Sequence, residues 1–297
     1  MTPATAPAAS AAPAAASAAS AAADPGAAPD TAGFDSPGLR RLGAMAGLDS
    51  ARTALRTRLR QLTTLRQAGT AVEGLANVAI QGTPGSGRRA LAGVYGRCLA
   101  ELGLLPTGAV HRLPLSQVPV RWSEQPVFHL AAALREAEGG LLVAELDPLF
   151  VQRPAAERGH VLDALARLAP KPHGAVLVVS GSSPHLLDVL TERPELAEAF
   201  AEYVELDPYG AEQLALLLDR QLRNSGFRLG DEAAAAAIAM FTARPPARGA
   251  YEVHRLAEQL AATARTRTLT PDDLPGPAAQ PAQTHPTVQP AEPLVHS

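Results

Sequence analysis

The chain has 297 residues, with 26 Lys or Arg against 29 Asp or Glu, a formal net charge of −3. That balance argues against the large basic surface of a nucleic-acid-binding protein. No apolar run reaches the roughly 20 residues of a membrane span. The single cysteine, Cys98, leaves no internal disulfide and suits a reducing cytoplasm.

Residues 1–37 are mostly Ala, Pro, Ser and Gly, with almost nothing large before Phe34. Such a segment cannot offset its ordering entropy and is expected to be disordered. It lacks the basic start and Leu/Val-rich middle of a secretory leader. A first helix reads from Asp49 or Ser50, both candidate N-caps, to Gln67. Leu55, Leu59 and Leu62 fall on one face and Arg52, Arg56, Arg60 and Arg66 on the other. Short apolar runs then follow at 77–81, 109–113, 141–146, 175–180 and 203–206. Helical patterns separate them at 88–102, 125–138, 155–168 and 184–200. Five strands alternating with helices predict a parallel sheet covered on both faces. After Asp207 only helices are expected, at 211–224, 231–242 and 251–266. The tail 275–297 is Pro-, Gln- and Ala-rich and reads as disordered. The organisation is therefore a large α/β domain over 38–207, a helical lid over 208–274, and two disordered ends.

Directly after the first strand comes "GTPGSGRR", residues 82–89. Gly82, Gly85 and Gly87 permit backbone N–H groups to converge on phosphates in conformations that a Cβ would obstruct. The start of the next helix adds positive potential. Placed after a strand and before a helix, this reads as a phosphate loop. Further blocks follow in order: "GGLLVAELDPLF", "VVSGSSPHL", "RPELAEAF" and "GAYEVHRLAEQ", with "GLDSART" ahead of the loop. Over residues 38–274 the series resembles the AAA+ group that contains the red-type Rubisco activases and the sporulation stage V protein K ATPases. The resemblance implies a five-stranded parallel P-loop sheet sandwiched by helices, with a small all-helical lid. It also implies a nucleotide seat at Gly82, Pro84, Gly85, Ser86, Gly87, Arg88 and Arg89.

The chain departs from that pattern at the reacting groups. A hydrolysing loop continues with Lys and then Ser or Thr, for the phosphates and Mg²⁺. Here Arg88 keeps the charge without the compact ammonium, and Arg89 offers no hydroxyl. The acidic strand should end in Asp and Glu, for metal and attacking water. It ends in Glu145, which could still reach a metal, and Leu146, which cannot act as a base. Asp147 comes one position late. Where the group carries its trans-acting arginine stand Ala197, Glu198 and Ala199, with Arg193 a stand-in that reads more simply as a surface side chain. The lid sensor arginine aligns with Tyr251, and His254 and Arg255 lie about a turn beyond. The pore aromatic aligns with Trp122, which either anchors a partner or folds back over the domain edge.

These departures predict a degenerate AAA+ protein with weak or absent ATP hydrolysis: a cytoplasmic assembly or regulatory subunit, or a scaffold for a protein partner. An intact AAA+ paralogue in a mixed ring would suit the missing arginine. ATP or ADP would be held weakly and Mg²⁺ poorly, with neither nucleic acid nor membrane as partner. An active remodelling ATPase with compensating residues, or an adaptor recruiting clients through its tails, are the alternatives. Because their counterparts share one magnesium site in the resembling group, Arg89 and Glu145 are expected to pair.

Overall fold

A computed structural model describes residues 34–275, apart from Glu73 and Pro172. The segments 1–33 and 276–297, for which disorder was expected, lie outside the described residues. Regular structure begins with α1 (Pro37–Gly43), whose N-cap Ser36 accepts from the Leu39 backbone N–H at 3.2 Å. Residues 34–37, read together with the disordered segment, thus lead into and open α1. After α2 (Asp49–Gln67) the α/β series runs β1 (Val78–Gly82), α3 (Arg88–Glu101), β2 (Val110–Pro114), α4 (Gln125–Glu136), β3 (Leu141–Leu146) and α5 (Pro148–Val151). It continues through α6 (Ala155–Leu168), β4 (Val176–Gly181), α7 (His185–Glu192), α8 (Pro194–Glu198) and β5 (Glu202–Leu206). The lid follows as α9 (Ala211–Asn224), β6 (Arg228–Leu229), α10 (Asp231–Ala243), α11 (Ala250–Thr263) and β7 (Thr268–Leu269).

The five long strands form one parallel sheet in the order β2-β3-β4-β1-β5. β1, β3 and β4 are buried at every position, as strands covered on both faces must be. Val78, Ile80, Leu141 and Val143 point to the side covered by α1, α2 and α3, where Leu42, Leu55, Leu59 and Tyr95 complete the core. Ala79, Leu142, Ala144 and Val179 point to the other side, packed by α4, α6, α7 and α8. This alternation places Glu145 on the same side as Val143, next to α3. The lid has its own core of Leu214, Leu218, Ala237, Val253 and Leu260.

Three details differ from the sequence reading. The α2 N-cap is Leu48, without a side-chain hydrogen bond, and Asp49 is the first helical residue. The pattern read as one helix over 184–200 is two, because Pro194 cannot continue a helix and starts the next. The lid is not wholly helical, since β6 and β7 pair in parallel through Arg228–Thr268 and Leu229–Leu269. Among the described residues no helix is long and apolar enough to cross a membrane.

Candidate functional site

The loop 82–87 leaves the C-terminal end of β1, between β4 and the edge strand β5, and the carboxyl ends of the strands are the usual place for a ligand in open α/β folds. Gly85 and Gly87 adopt φ of +83° and +94°, which explains glycine at both positions. The Ser86 N–H closes the turn on the Thr83 carbonyl at 3.1 Å. The Ser86 hydroxyl is buried against Gly82 and has no partner among the described residues.

Arg89, near the start of α3, donates Nε and Nη2 to Glu145 Oε1 and Oε2, both at 3.1 Å. The expected pair is thus present and bidentate. The sequence reading missed its third member. Arg112 of β2 donates Nε at 2.9 Å and Nη2 at 3.1 Å to the same two oxygens. The cause is register: Pro114 lies opposite Glu145, and Arg112 opposite Val143, on the face Glu145 shares. Four N–H donors occupy the roughly four acceptor positions of one carboxylate. A metal at Glu145 would have to displace an arginine. Among the described residues no group of three His, Cys, Asp or Glu side chains is placed to hold one. Burial alone would raise the Glu145 carboxyl, but the hydrogen bonds from Arg112 and Arg89 outweigh it and hold the group below the usual carboxylate range. Arg88 is half-buried without a hydrogen bond or ion pair among the described residues, and burial pushes its guanidinium down.

The neighbouring positions are structural. Leu146 is buried in the sheet core. Asp147 caps α5, accepting from the backbone N–H of Leu149 at 3.0 Å and Phe150 at 3.2 Å, and its second oxygen takes the Ser116 N–H at 3.0 Å. Arg193 lies against α6 in an ion pair with Asp163 at 3.3 Å, its Nε buried. Serving a neighbouring subunit would break that pair. His254 pairs with Glu258 on its own helix at 3.3 Å, Arg255 is exposed, and Arg248 stacks over the Tyr251 ring at 5.9 Å. Trp122 stands out at 57 % exposure on the loop before α4, rather than folding back over the domain edge.

The lid sits on the loop. The Ala250 N–H donates to the Gly85 carbonyl at 3.0 Å, and the Arg248 carbonyl occupies the space a Gly85 Cβ would need. The Tyr209 hydroxyl lies 2.8 Å from where a Gly87 Cβ would stand, and its ring packs against Gly47 at the other end. What remains between Pro84 and Ser86 on one side and Tyr209, Pro246 and Gly249 on the other is a cavity of about 80 Å³. Pockets for drug-sized ligands run to roughly 300–1,000 Å³. A nucleotide enters this conformation only if the turn 245–250 and Tyr209 move.

No protein-family model matches the chain, and no curated protein matches it in sequence. Solved structures do match in shape. The RuvB Holliday junction branch migration motor of Thermotoga maritima superposes with a TM-score of 0.54 at 17% identity, over 77% of this chain and 67% of that one. A point variant of the same protein gives 0.56 at 18% identity, over 80% and 70%. The chain has the AAA+ fold. At such identity the match reaches the arrangement of strands and helices and not the chemistry of the loop.

Proposed function

We propose that this chain is an AAA+-fold subunit that works without ATP turnover, as an assembly or regulatory partner of another protein. The observation that carries this reading is the saturated Glu145. Where the resembling group places a metal and its carboxylate, this chain places a carboxylate held by two guanidiniums. The cation is supplied covalently and cannot be exchanged for Mg²⁺ without dismantling the cluster. Leu146 offers no group to polarise water, and Arg193 is engaged with Asp163. Phosphoryl transfer rests on positioning and charge stabilisation, so removing several such groups costs orders of magnitude in rate. A protein partner fits the exposed Trp122, since an exposed Trp is a good interface anchor. The chain's net charge of −3 gives nucleic acid no comparable attraction.

The likeness to a branch migration motor supports a second reading, a working ATPase with rearranged motif residues. A steady-state phosphate-release assay separates the two. The expected outcome is release indistinguishable from buffer, with any nucleotide binding weak and unchanged by magnesium. Turnover near 1 s⁻¹, of the order of typical slow enzymes, that disappears in Gly87→Asp would establish the motor reading instead.

A further inference from the structure

Glu145 is not the end of the cluster's binding capacity. A guanidinium carries five N–H donors. Arg89 and Arg112 each spend Nε and one Nη2 hydrogen on Glu145. Three donors on each, including both of Nη1, have no partner among the described residues. The carboxylate is covered, its side chain 9% exposed, whereas those of Arg89 and Arg112 are 69% and 43% exposed. Arg88 adds a third guanidinium close enough for Glu145 and Arg89 to act on it. Three positive groups therefore face one negative one, a local surplus of two charges. The nearest further acid in sequence, Asp147, makes no ion pair with these arginines among the described residues; its oxygens accept from the backbone N–H groups of Ser116, Leu149 and Phe150.

We propose that the outward edges of Arg89 and Arg112 form a seat for a second oxyanion, a carboxylate or a phosphate group, beside Glu145 and off the phosphate loop. The chemistry fits in three respects. Planar guanidinium forks match the two-oxygen geometry of carboxylates and phosphates. Glu145 already holds both forks, so the side-chain ordering that binding normally costs is largely met in advance. A second anion would also alternate with the two cations and relieve their repulsion. The seat shares Arg89 with the expected nucleotide site and is set apart from it by Arg112, which belongs to β2, on the far side of β3 from β4 and β1. It is independent of the lid turn that covers Gly85, and it stands whether or not the chain turns over ATP.

The test is calorimetric titration of the full chain at low ionic strength with two probes, inorganic tripolyphosphate and a hexaglutamate peptide. The variants are Arg112→Gln, Arg112→Lys and, as a control, Arg97→Gln, an exposed arginine further along α3. Thermal melts accompany each variant, and Arg112→Lys retains the charge should Arg112→Gln fail to fold. At least one probe is expected to bind. Its affinity should fall tenfold or more in Arg112→Gln, fall clearly in Arg112→Lys because the fork is lost, and stay within twofold in Arg97→Gln. Binding of hexaglutamate alone identifies an acidic protein segment as the occupant; binding of tripolyphosphate alone identifies a phosphate compound. Absence of binding by either probe overturns the seat. So does binding that ignores Arg112, which places the probe on the loop, and so does an equal loss in Arg97→Gln, which makes the attraction a diffuse field.

Discussion

Glu145 gives the cluster a pH signature. Its folded-state carboxyl titrates below the ordinary range because the arginine hydrogen bonds outweigh burial, whereas in the unfolded chain it titrates near the ordinary glutamate value of ~4.3. Above that value both states are ionised and the stabilisation is fully present. As pH falls the unfolded chain takes up a proton first, so stability is lost until the folded value is passed. The urea midpoint should therefore drop between about pH 5 and pH 3. Glu145→Gln should flatten part of that drop, and an unchanged slope would refute the assignment. Some slope should persist, since the Ser36 hydroxyl holds Glu101 low and the Thr270 backbone N–H holds Asp273 low. Two of the three members of this cluster were legible in the sequence: Arg89 and Glu145 each occupy a motif position whose counterparts meet. Arg112 was not, because it belongs to no motif and reaches Glu145 only through the β2–β3 register. A basic residue in the middle of the strand beside the acidic one was the available signal.

Among the elements, those with strong periodicity were read closely. β3, α6 and α9 agree with expectation at both ends, because fully buried strands and amphipathic helices declare themselves in a single window. The short α5 and the β6–β7 pair were not seen, because four residues of helix and two of strand barely complete one period and show no repeat. The lid contact was equally out of reach, since it depends on where the turn 245–250 docks. Gly85→Ala tests that contact. A Cβ would collide with the Arg248 carbonyl, so the turn should lift and the Ala250 amide should exchange with solvent at least tenfold faster. An unchanged Ala250 amide would mean that the lid does not rest on the loop in solution. At the opposite end of β1, buried Asn77 ties three elements together. Its Nδ2 donates to the Ala169 carbonyl after α6 at 3.1 Å, and its Oδ1 accepts from the Leu177 N–H of β4 at 2.8 Å. Asn77→Ala strands two buried backbone groups and should cost about 2–4 kcal/mol. Urea unfolding would show it as a lower midpoint, and a loss under about 0.5 kcal/mol, the level of an ordinary surface change, would contradict the role.

For the whole molecule, the question is whether copies of this chain assemble with one another. The resemblance to the AAA+ group implies head-to-tail packing, in which the large domain of one copy would meet the lid of the next; such heterologous contacts form a ring when the rotation closes. Opposite charge on the arginine face of α2 and on the acids of the lid would favour and orient such a contact. The structure uses much of both internally. Arg52 donates to the Gly43 carbonyl at 2.6 Å, Arg58 reaches the Leu75 carbonyl, and Arg60 stacks over Phe34 at 5.2 Å. In the lid, Asp219 holds Arg223 at 2.6 Å and the Leu229 N–H at 3.0 Å, and Glu258 holds His254. Asp231 and Glu232 sit in the first turn of α10, where the helix dipole already favours them. With Arg193 tied to Asp163, a ring of identical copies would have no arginine there to reward nucleotide at its interfaces. The full chain alone is therefore expected to elute as a monomer or a weak, salt-sensitive oligomer in size-exclusion chromatography with light scattering, with or without ATP. Mixing with an intact AAA+ subunit should shift it into a larger species, because that subunit can donate its own arginine at the interfaces this chain does not serve. A stable homohexamer without nucleotide or partner would overturn the prediction, and the chain would then act as a ring-forming scaffold in its own right.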